Sequence, residues 1–147
     1  MITDSDNIRE KRLAFYQREV DTILAVLREF LQLCDANCAF LVDKDGYMVT
    51  KAGTATDIDL QGVSTLVAGS YASARAMARL LGEDEFCMLF HEGKQENIQV
   101  NLVGERGLLV TVFDERTTVG MVRLYAKEAT EKLLETFRCL SQGRISQ

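Results

Sequence analysis

The sequence predicts an α/β fold of the α+β type: a five-stranded antiparallel sheet with helices on both faces, in the order α-β-β-α-β-β-β-α. Three stretches repeat apolar residues at three- and four-residue steps, which is the period of an amphipathic helix. The short β-prone runs between them are mostly joined by turns that suit hairpins. Hairpins make neighbouring strands antiparallel, and we expect the helices to cover the two faces of the sheet.

The first helix leads directly into the first hairpin. The apolar residues that mark one face of this helix are Leu13, Tyr16, Val20, Ile23, Leu27, Phe30 and Leu31. The helix is expected to end near Asp35. Two β-prone runs then flank Lys44, Asp45 and Gly46, where the Asp-Gly pair supplies the positive φ that a tight hairpin turn requires.

The middle helix is predicted over residues 60–81. A polar loop at residues 53–57 precedes it, and Asp57 or Asp59 can accept a hydrogen bond from its free amide groups. Gly82 lies where a left-handed residue would close the helix.

Three strands are predicted after the middle helix, at residues 86–91, 96–103 and 108–113. In the fourth strand polar and apolar residues alternate, which is typical of a strand with one buried face. The alternating residues are Asn97, Ile98, Gln99, Val100, Asn101 and Leu102. The fifth strand is almost continuously apolar, so we expect it at the centre of the sheet.

The last helix is predicted to begin after Thr117 or Thr118, whose hydroxyl groups are suitable caps. Its apolar stripe comprises Val119, Val122, Ala126, Ala129, Leu133, Phe137 and Leu140. Residues 13–141 are therefore assigned to one domain, residues 1–12 to a flexible N-terminus and residues 142–147 to a short C-terminal tail.

Composition and charge limit the classes of partner. The chain of 147 residues is 47% hydrophobic and 27% charged, as in an ordinary globular domain. Its net charge of −5 argues against nucleic acid and anionic membranes as main partners. We find neither a signal peptide nor an apolar run long enough to insert into a membrane, and therefore predict a cytoplasmic protein.

The sequence offers little support for an active site of its own. The spacing of Cys34, Cys38, Cys87 and Cys139 does not match a zinc site, and buried thiols are expected instead. The one histidine, His91, is predicted at the surface end of a strand. Phosphate-binding glycine motifs are absent, so we predict no cofactor, no metal and no enzymatic activity.

The middle helix carries a strip of small residues. Ala68, Ala72 and Ala76 recur every four residues, with Thr65, Gly69 and Ser73 beside them and Arg75 and Arg79 at the margin. The opposite side, predicted to face the sheet, comprises Val63, Leu66, Val67, Ser70, Met77 and Leu81. The strip either packs closely within the domain or forms an intermolecular surface, and the flanking charges favour the second interpretation.

Three motifs resemble the Roadblock/dynein light chain family, and specifically its bacterial MglB-like branch. They are TLVAG at residues 65–69, ARLLGE at residues 78–83 and LLVTVFDERTTVGMVRL at residues 108–124. The resemblance covers about residues 15 to 140 and implies a profilin-like sandwich.

The resemblance also implies two surfaces. Roadblock domains pair as homodimers by joining edge strands, and the matching residues here are Phe86, Cys87, Met88, Leu89, Phe90 and His91. In the MglB-like branch the paired middle helices bind a Ras-like small GTPase. The matching residues are Thr65, Ala68, Gly69, Ala72, Ser73, Arg75, Ala76 and Arg79.

The resemblance implies a GTPase-activating regulator in cell polarity or gliding motility, without an active site of its own. The partner's own arginine and glutamine would meet the phosphate once its switch loops are reoriented. Arg75 or Arg79 could instead supply an arginine finger, a group that accelerates hydrolysis by about 10³ to 10⁵. The alternative is a scaffold or adaptor for a GTPase or motor complex that does not activate hydrolysis. About seven residues follow the predicted last helix, so we do not expect the C-terminal extension that influences nucleotide exchange in some family members.

Overall fold

The computed structural model describes residues 17–54, 57–105 and 107–145, and the side chains of these residues as far as residue 139. The described residues form three helices and five strands in the predicted order. They are α1 (Gln17–Cys34), β1 (Cys38–Asp43), β2 (Met48–Gly53), α2 (Leu60–Leu80), β3 (Met88–Glu92), β4 (Asn97–Val103), β5 (Gly107–Phe113) and α3 (Val119–Ile145). Leu13, Tyr16 and the predicted flexible segment 1–12 lie outside the described residues, as do residues 146 and 147 of the predicted tail.

The sheet is antiparallel with the strand order β2-β1-β5-β4-β3. The predicted central position of β5 is confirmed, since all of its residues are buried. β2 and β3 are the two edge strands. Successive side chains of β1 lie on opposite faces of the sheet. Phe40 packs in the core beneath α2, whereas Leu41 packs in the core beneath α1 and α3.

The predicted caps form where the sequence placed them. Asp59 accepts a hydrogen bond from the Gly62 amide at 3.0 Å. The Thr118 hydroxyl accepts one from the Met121 amide at 3.2 Å. At the hairpin turn Gly46 adopts a φ of +94°, and after α2 Gly82 adopts a φ of +85°. These residues satisfy local backbone groups, so local sequence sufficed to find them.

Three predictions about individual elements were wrong. β3 begins at Met88, so Phe86 and Cys87 precede it, and α3 continues beyond Leu140 to Ile145. Gln99 was expected on an exposed face of β4 but is completely buried. It pairs with Thr111 on β5, on the face that α3 covers, and its Nε2 donates to Asn101 Oδ1 at 2.8 Å. Helices lie on both faces of the sheet, so residues on both sides of β4 are buried or half-buried.

The cysteine prediction was half right. Cys34 and Cys38 are buried, whereas Cys87 and Cys139 are exposed. Burial raises the pKa of Cys38 to about 11 and also raises the pKa of Cys34. Both buried thiols are therefore protonated near neutral pH and pack as small apolar groups.

Candidate partner-binding surface on α2 and β3

The two ends of α2 are fixed by hydrogen bonds. At the start, a Cβ on Gly62 would lie 2.5 Å from Asp59 Oδ2, so glycine makes room for the capping carboxylate. At the end, the Glu83 amide donates to the Ala78 carbonyl at 2.9 Å across the left-handed Gly82. This pattern stops the helix at a defined residue. The helix thus presents its outer face with a fixed length and rotation.

The inner face of α2 differs from the predicted one. Its buried residues are Leu60, Ser64, Val67, Tyr71, Ala74 and Ala78. Ser64 is accommodated because its hydroxyl donates to the Leu60 carbonyl at 2.7 Å, and the Tyr71 hydroxyl donates to Glu85 Oε2 at 2.8 Å. Of the residues predicted to face the sheet, only Val67 is buried and Val63 half-buried; Leu66, Ser70, Met77 and Leu81 are exposed.

The small-residue strip lies mostly on the outer face. Thr65, Gly69, Ala72, Ser73 and Ala76 are exposed. A Cβ built on Gly69 meets no atom within 4 Å, which shows that no described part of the domain packs over that position. The strip therefore leaves the α2 backbone open to close approach.

One margin of the strip does pack within the domain. Ala68 is half-buried and lies close to the hairpin turn: a Cβ built on Gly46 would be 3.6 Å from the Ala68 Cβ. Gln61 fastens the same turn to α2, donating to the Gly46 carbonyl at 2.9 Å and accepting from the Met48 amide at 3.3 Å. Packing within the domain thus explains the small side chain at Ala68 and the close contact at Thr65, but it does not explain the small residues in the rest of the strip.

Sequence analysis missed a group of large apolar residues beside the strip. Leu66, Met77, Leu80 and Leu81 are 76%, 56%, 88% and 74% exposed, respectively. Four large apolar side chains exposed along one helix and its end are unusual in a domain that works alone. Their exposure, rather than their sequence spacing, makes them candidates for contact with another molecule.

The β3 edge is open along its length. β3 pairs only with β4 among the described strands. Phe86, Met88, Leu89 and Phe90 are half-buried, while Cys87 and His91 are exposed. Phe90 stacks on Phe113 at a centroid distance of 6.1 Å, which anchors the strand to the core. An open edge that carries apolar side chains is a ready template for pairing with another strand.

Charged side chains line an open groove beside α2. The groove has a volume of about 490 Å³ and is lined by Lys44, Arg75, Arg79, Asp84, Glu85 and Glu105. Arg79 is exposed, whereas Arg75 is half-buried and its enclosed Nε finds no hydrogen-bond acceptor among the described residues. Burial and the hydrogen bond to Glu85 raise the pKa of Tyr71, so its hydroxyl remains a donor at neutral pH.

Three further properties of the described residues are their capacity to bind a metal, their capacity to span a membrane and the position of His91. Among them, no three His, Cys, Asp or Glu side chains converge as metal ligands would. None of their helices combines the length and apolar character needed to cross a bilayer. His91, at the end of β3, is exposed.

Comparison with known proteins gives consistent results. Residues 22–113 match the profile of the Roadblock/LC7 domain. The chain is similar to MglB of Myxococcus xanthus, with 38% identity, a TM-score of 0.81 and coverage of 85% of this chain and 94% of that one. The gliding protein MglB of Thermus thermophilus has 35% identity, a TM-score of 0.76 and coverage of 80% and 89%. A structure described as MglB with tetrameric arrangement has 34% identity, a TM-score of 0.78 and coverage of 86% and 93%. A search of curated proteins found no match.

Proposed function

This chain belongs to the Roadblock/LC7 family, in its MglB-like branch, and we propose that it is a regulator of a bacterial Ras-like small GTPase. As a homodimer it binds an MglA-like GTPase and stimulates GTP hydrolysis. The observation that carries this proposal is the uncovered outer face of α2, where Gly69 and its small neighbours admit close backbone approach. The resemblance to the MglB-like branch implies that a GTPase binds this face.

The GTPase would contact the small-residue strip and its charged margin. Gly69, Ala72, Ser73 and Ala76 form the flat part of this contact, and Thr65 and Ala68 border it next to the hairpin turn. Small side chains keep the partner close to the helix, so a long side chain at Ala72 would separate the two surfaces. Arg75 and Arg79 provide the charged margin.

The homodimer would form through the open β3 edge. Residues 86–91 would pair with the same residues of a second copy, which removes the exposed edge. The large apolar residues Leu66, Met77, Leu80 and Leu81 would be covered where the two α2 helices meet. The description of a relative as tetrameric supports self-association in this branch.

Activation would be indirect, since the regulator contributes no active site of its own. Arg75 is half-buried with its Nε enclosed by the domain, which suits a binding residue better than a group that must extend to a phosphate. The protein would therefore act by holding the GTPase switch loops so that the GTPase's own arginine and glutamine approach the nucleotide.

The second candidate function is a scaffold that binds a GTPase or motor complex without activation. The partial burial of Arg75 favours it, because this side chain would have to leave its packing against the domain to reach a nucleotide. Both functions use one surface and place the protein in the cytoplasm. The name of the Thermus relative as a gliding protein supports a role in motility.

The test is a titration with the Ras-like GTPase encoded nearest this gene, loaded in turn with a non-hydrolysable GTP analogue and with GDP. A regulator of hydrolysis must recognise the GTP state, so we expect an affinity at least about tenfold higher for that state. Equal affinity for the two states would favour the scaffold, and the absence of binding to either would contradict both functions.

A further inference from the structure

The groove beside α2 joins four segments that are separated in sequence. Lys44 comes from the β1–β2 turn, Arg75 and Arg79 from α2, and Glu105 from the β4–β5 turn. Asp84 and Glu85 complete the wall after α2 ends. The groove thus contains three cationic and three anionic side chains, although the protein as a whole is acidic with a net charge of −5.

Among the described residues, the three cations of the groove have no carboxylate within ion-pair distance. The ion pairs between described residues are Arg116–Asp114 and Lys132–Glu29, and both lie outside the groove. Glu85, whose Oε2 accepts a hydrogen bond from the Tyr71 hydroxyl at 2.8 Å, is not within ion-pair distance of Arg75. Arg75 is therefore a half-buried cation whose enclosed Nε finds no acceptor in the described part of the chain. Binding of an anion beside a half-buried cation that lacks an ion-pair partner is therefore favourable in free energy.

We infer that this groove binds a carboxylate side chain of the partner GTPase, with Arg75 as its main ligand and Lys44 and Arg79 beside it. This inference rests on the proposed function and adds Lys44 to the partner-binding residues. A planar guanidinium matches a carboxylate with two parallel hydrogen bonds. The carboxylates of the groove would repel a polyphosphate, which carries several negative charges. A single carboxylate carries one negative charge, so the repulsion is weaker while the attraction to the cations remains.

The experiment measures binding of the GTPase, loaded with a non-hydrolysable GTP analogue, at three salt concentrations. The variants are Arg75→Gln and Arg75→Lys in the groove and Lys44→Gln at its rim. Lys127→Gln is the matched control, because Lys127 is exposed on α3, the helix on the other face of the sheet. Unfolding in urea establishes that each variant is folded.

We expect Arg75→Gln to raise the Kd by about 10- to 30-fold at low salt and to flatten the salt dependence. Arg75→Lys should fall between it and the wild type, because lysine keeps the charge but loses the fork. Lys44→Gln should raise the Kd by about threefold, as expected of a rim charge. A further variant, Arg75→Glu, should bind weakly, and reversal of one acidic residue on the GTPase to a basic one should restore its binding.

Three results would overturn the inference, and they are distinguishable. If the wild type does not bind the GTPase at any salt concentration, the proposed function fails as well. If the wild type binds and Arg75→Gln behaves like Lys127→Gln, only the groove is wrong. If Arg75→Gln binds normally but fails to stimulate hydrolysis in a parallel assay with saturating protein and GTP-loaded GTPase, Arg75 acts on the nucleotide instead.

Discussion

Gly46 in the β1–β2 turn lies directly against Thr65 on α2: a Cβ on Gly46 would be 3.1 Å from the Thr65 Cα. The turn is held in this position from both sides. Asp43 Oδ1 accepts hydrogen bonds from the amides of Asp45 and Tyr47 at 2.9 and 3.0 Å, and Gln61 binds the Gly46 carbonyl. A local turn thus fixes one margin of the proposed GTPase-binding surface.

Gly46→Ala is expected to destabilise the protein by about 1–3 kcal/mol, since alanine is strained at a φ of +94° and its Cβ would press on α2. Gly69→Ala is the control. Gly69 lies in α2 with free space around it, so alanine there should stabilise the helix by about 0.5–1 kcal/mol. Urea unfolding of both variants measures the difference, and equal stabilities would refute the close packing at Gly46.

Ala72→Arg is expected to raise the Kd for the GTPase by at least about 100-fold, because a long charged side chain would occupy the space needed for close approach. The fold should be unaffected, since Ala72 is exposed. Gln32→Arg, at an exposed position on α1, is the matched control. Titration calorimetry on the three proteins measures the effect. Unchanged affinity of Ala72→Arg would remove the strip from the interface.

Met88→Pro is expected to weaken dimerisation by at least about tenfold while the monomer stays folded. The Leu102 amide donates to the Cys87 carbonyl at 3.0 Å. Because paired and unpaired residues alternate in an antiparallel ladder, the backbone of Met88 faces away from β4. Proline there removes an outward N–H group and spares the sheet.

Leu89→Pro is the contrasting variant, because the Leu89 N–H faces β4 and its loss should destabilise the fold itself. Sedimentation velocity across a concentration series distinguishes monomer from dimer. A Met88→Pro protein that dimerises as tightly as the wild type would show that copies do not associate through β3.

Tyr71 is expected to make stability depend on alkaline pH. Burial and its hydrogen bond to Glu85 raise its pKa above the ordinary value of 10.0, so the folded state favours the protonated phenol. The contribution of protonated Tyr71 to the free energy of unfolding is fully present below pH 10 and is lost as the pH rises above that value. Urea unfolding between about pH 8 and 11 should therefore show a smaller decline for Tyr71→Phe than for the wild type. Parallel curves would contradict a raised pKa, since both proteins share the other titrating groups.

Local sequence predicted the features that depend on neighbours in the chain. Asp59, Gly82 and Thr118 satisfy backbone groups within a few residues, and β5 is apolar enough to be recognised as central. The order of elements followed from these patterns, whereas the family was identified from the resemblance of three motifs. The proposed strip was also found from spacing alone, although its contact with Gly46 was not.

Features that depend on tertiary contacts could not be predicted. The rotation of α2 was misjudged because the helix carries apolar residues on several sides, and the burial of Tyr71 depends on Glu85 in a later loop. Gln99 is buried because α3 covers its face of the sheet, and the alternating pattern of β4 does not reveal that cover. The charged groove joins residues from four segments, so no single motif marks it.

Single-turnover GTP hydrolysis tests the central claim most directly. The Ras-like GTPase encoded nearest this gene is loaded with GTP and mixed with saturating wild-type protein, with Ala72→Arg or with Gln32→Arg. We predict that the wild type and Gln32→Arg accelerate hydrolysis and that Ala72→Arg does not. Binding of the wild type without acceleration, or acceleration that persists in Ala72→Arg, would contradict a GTPase activator that acts through the outer face of α2.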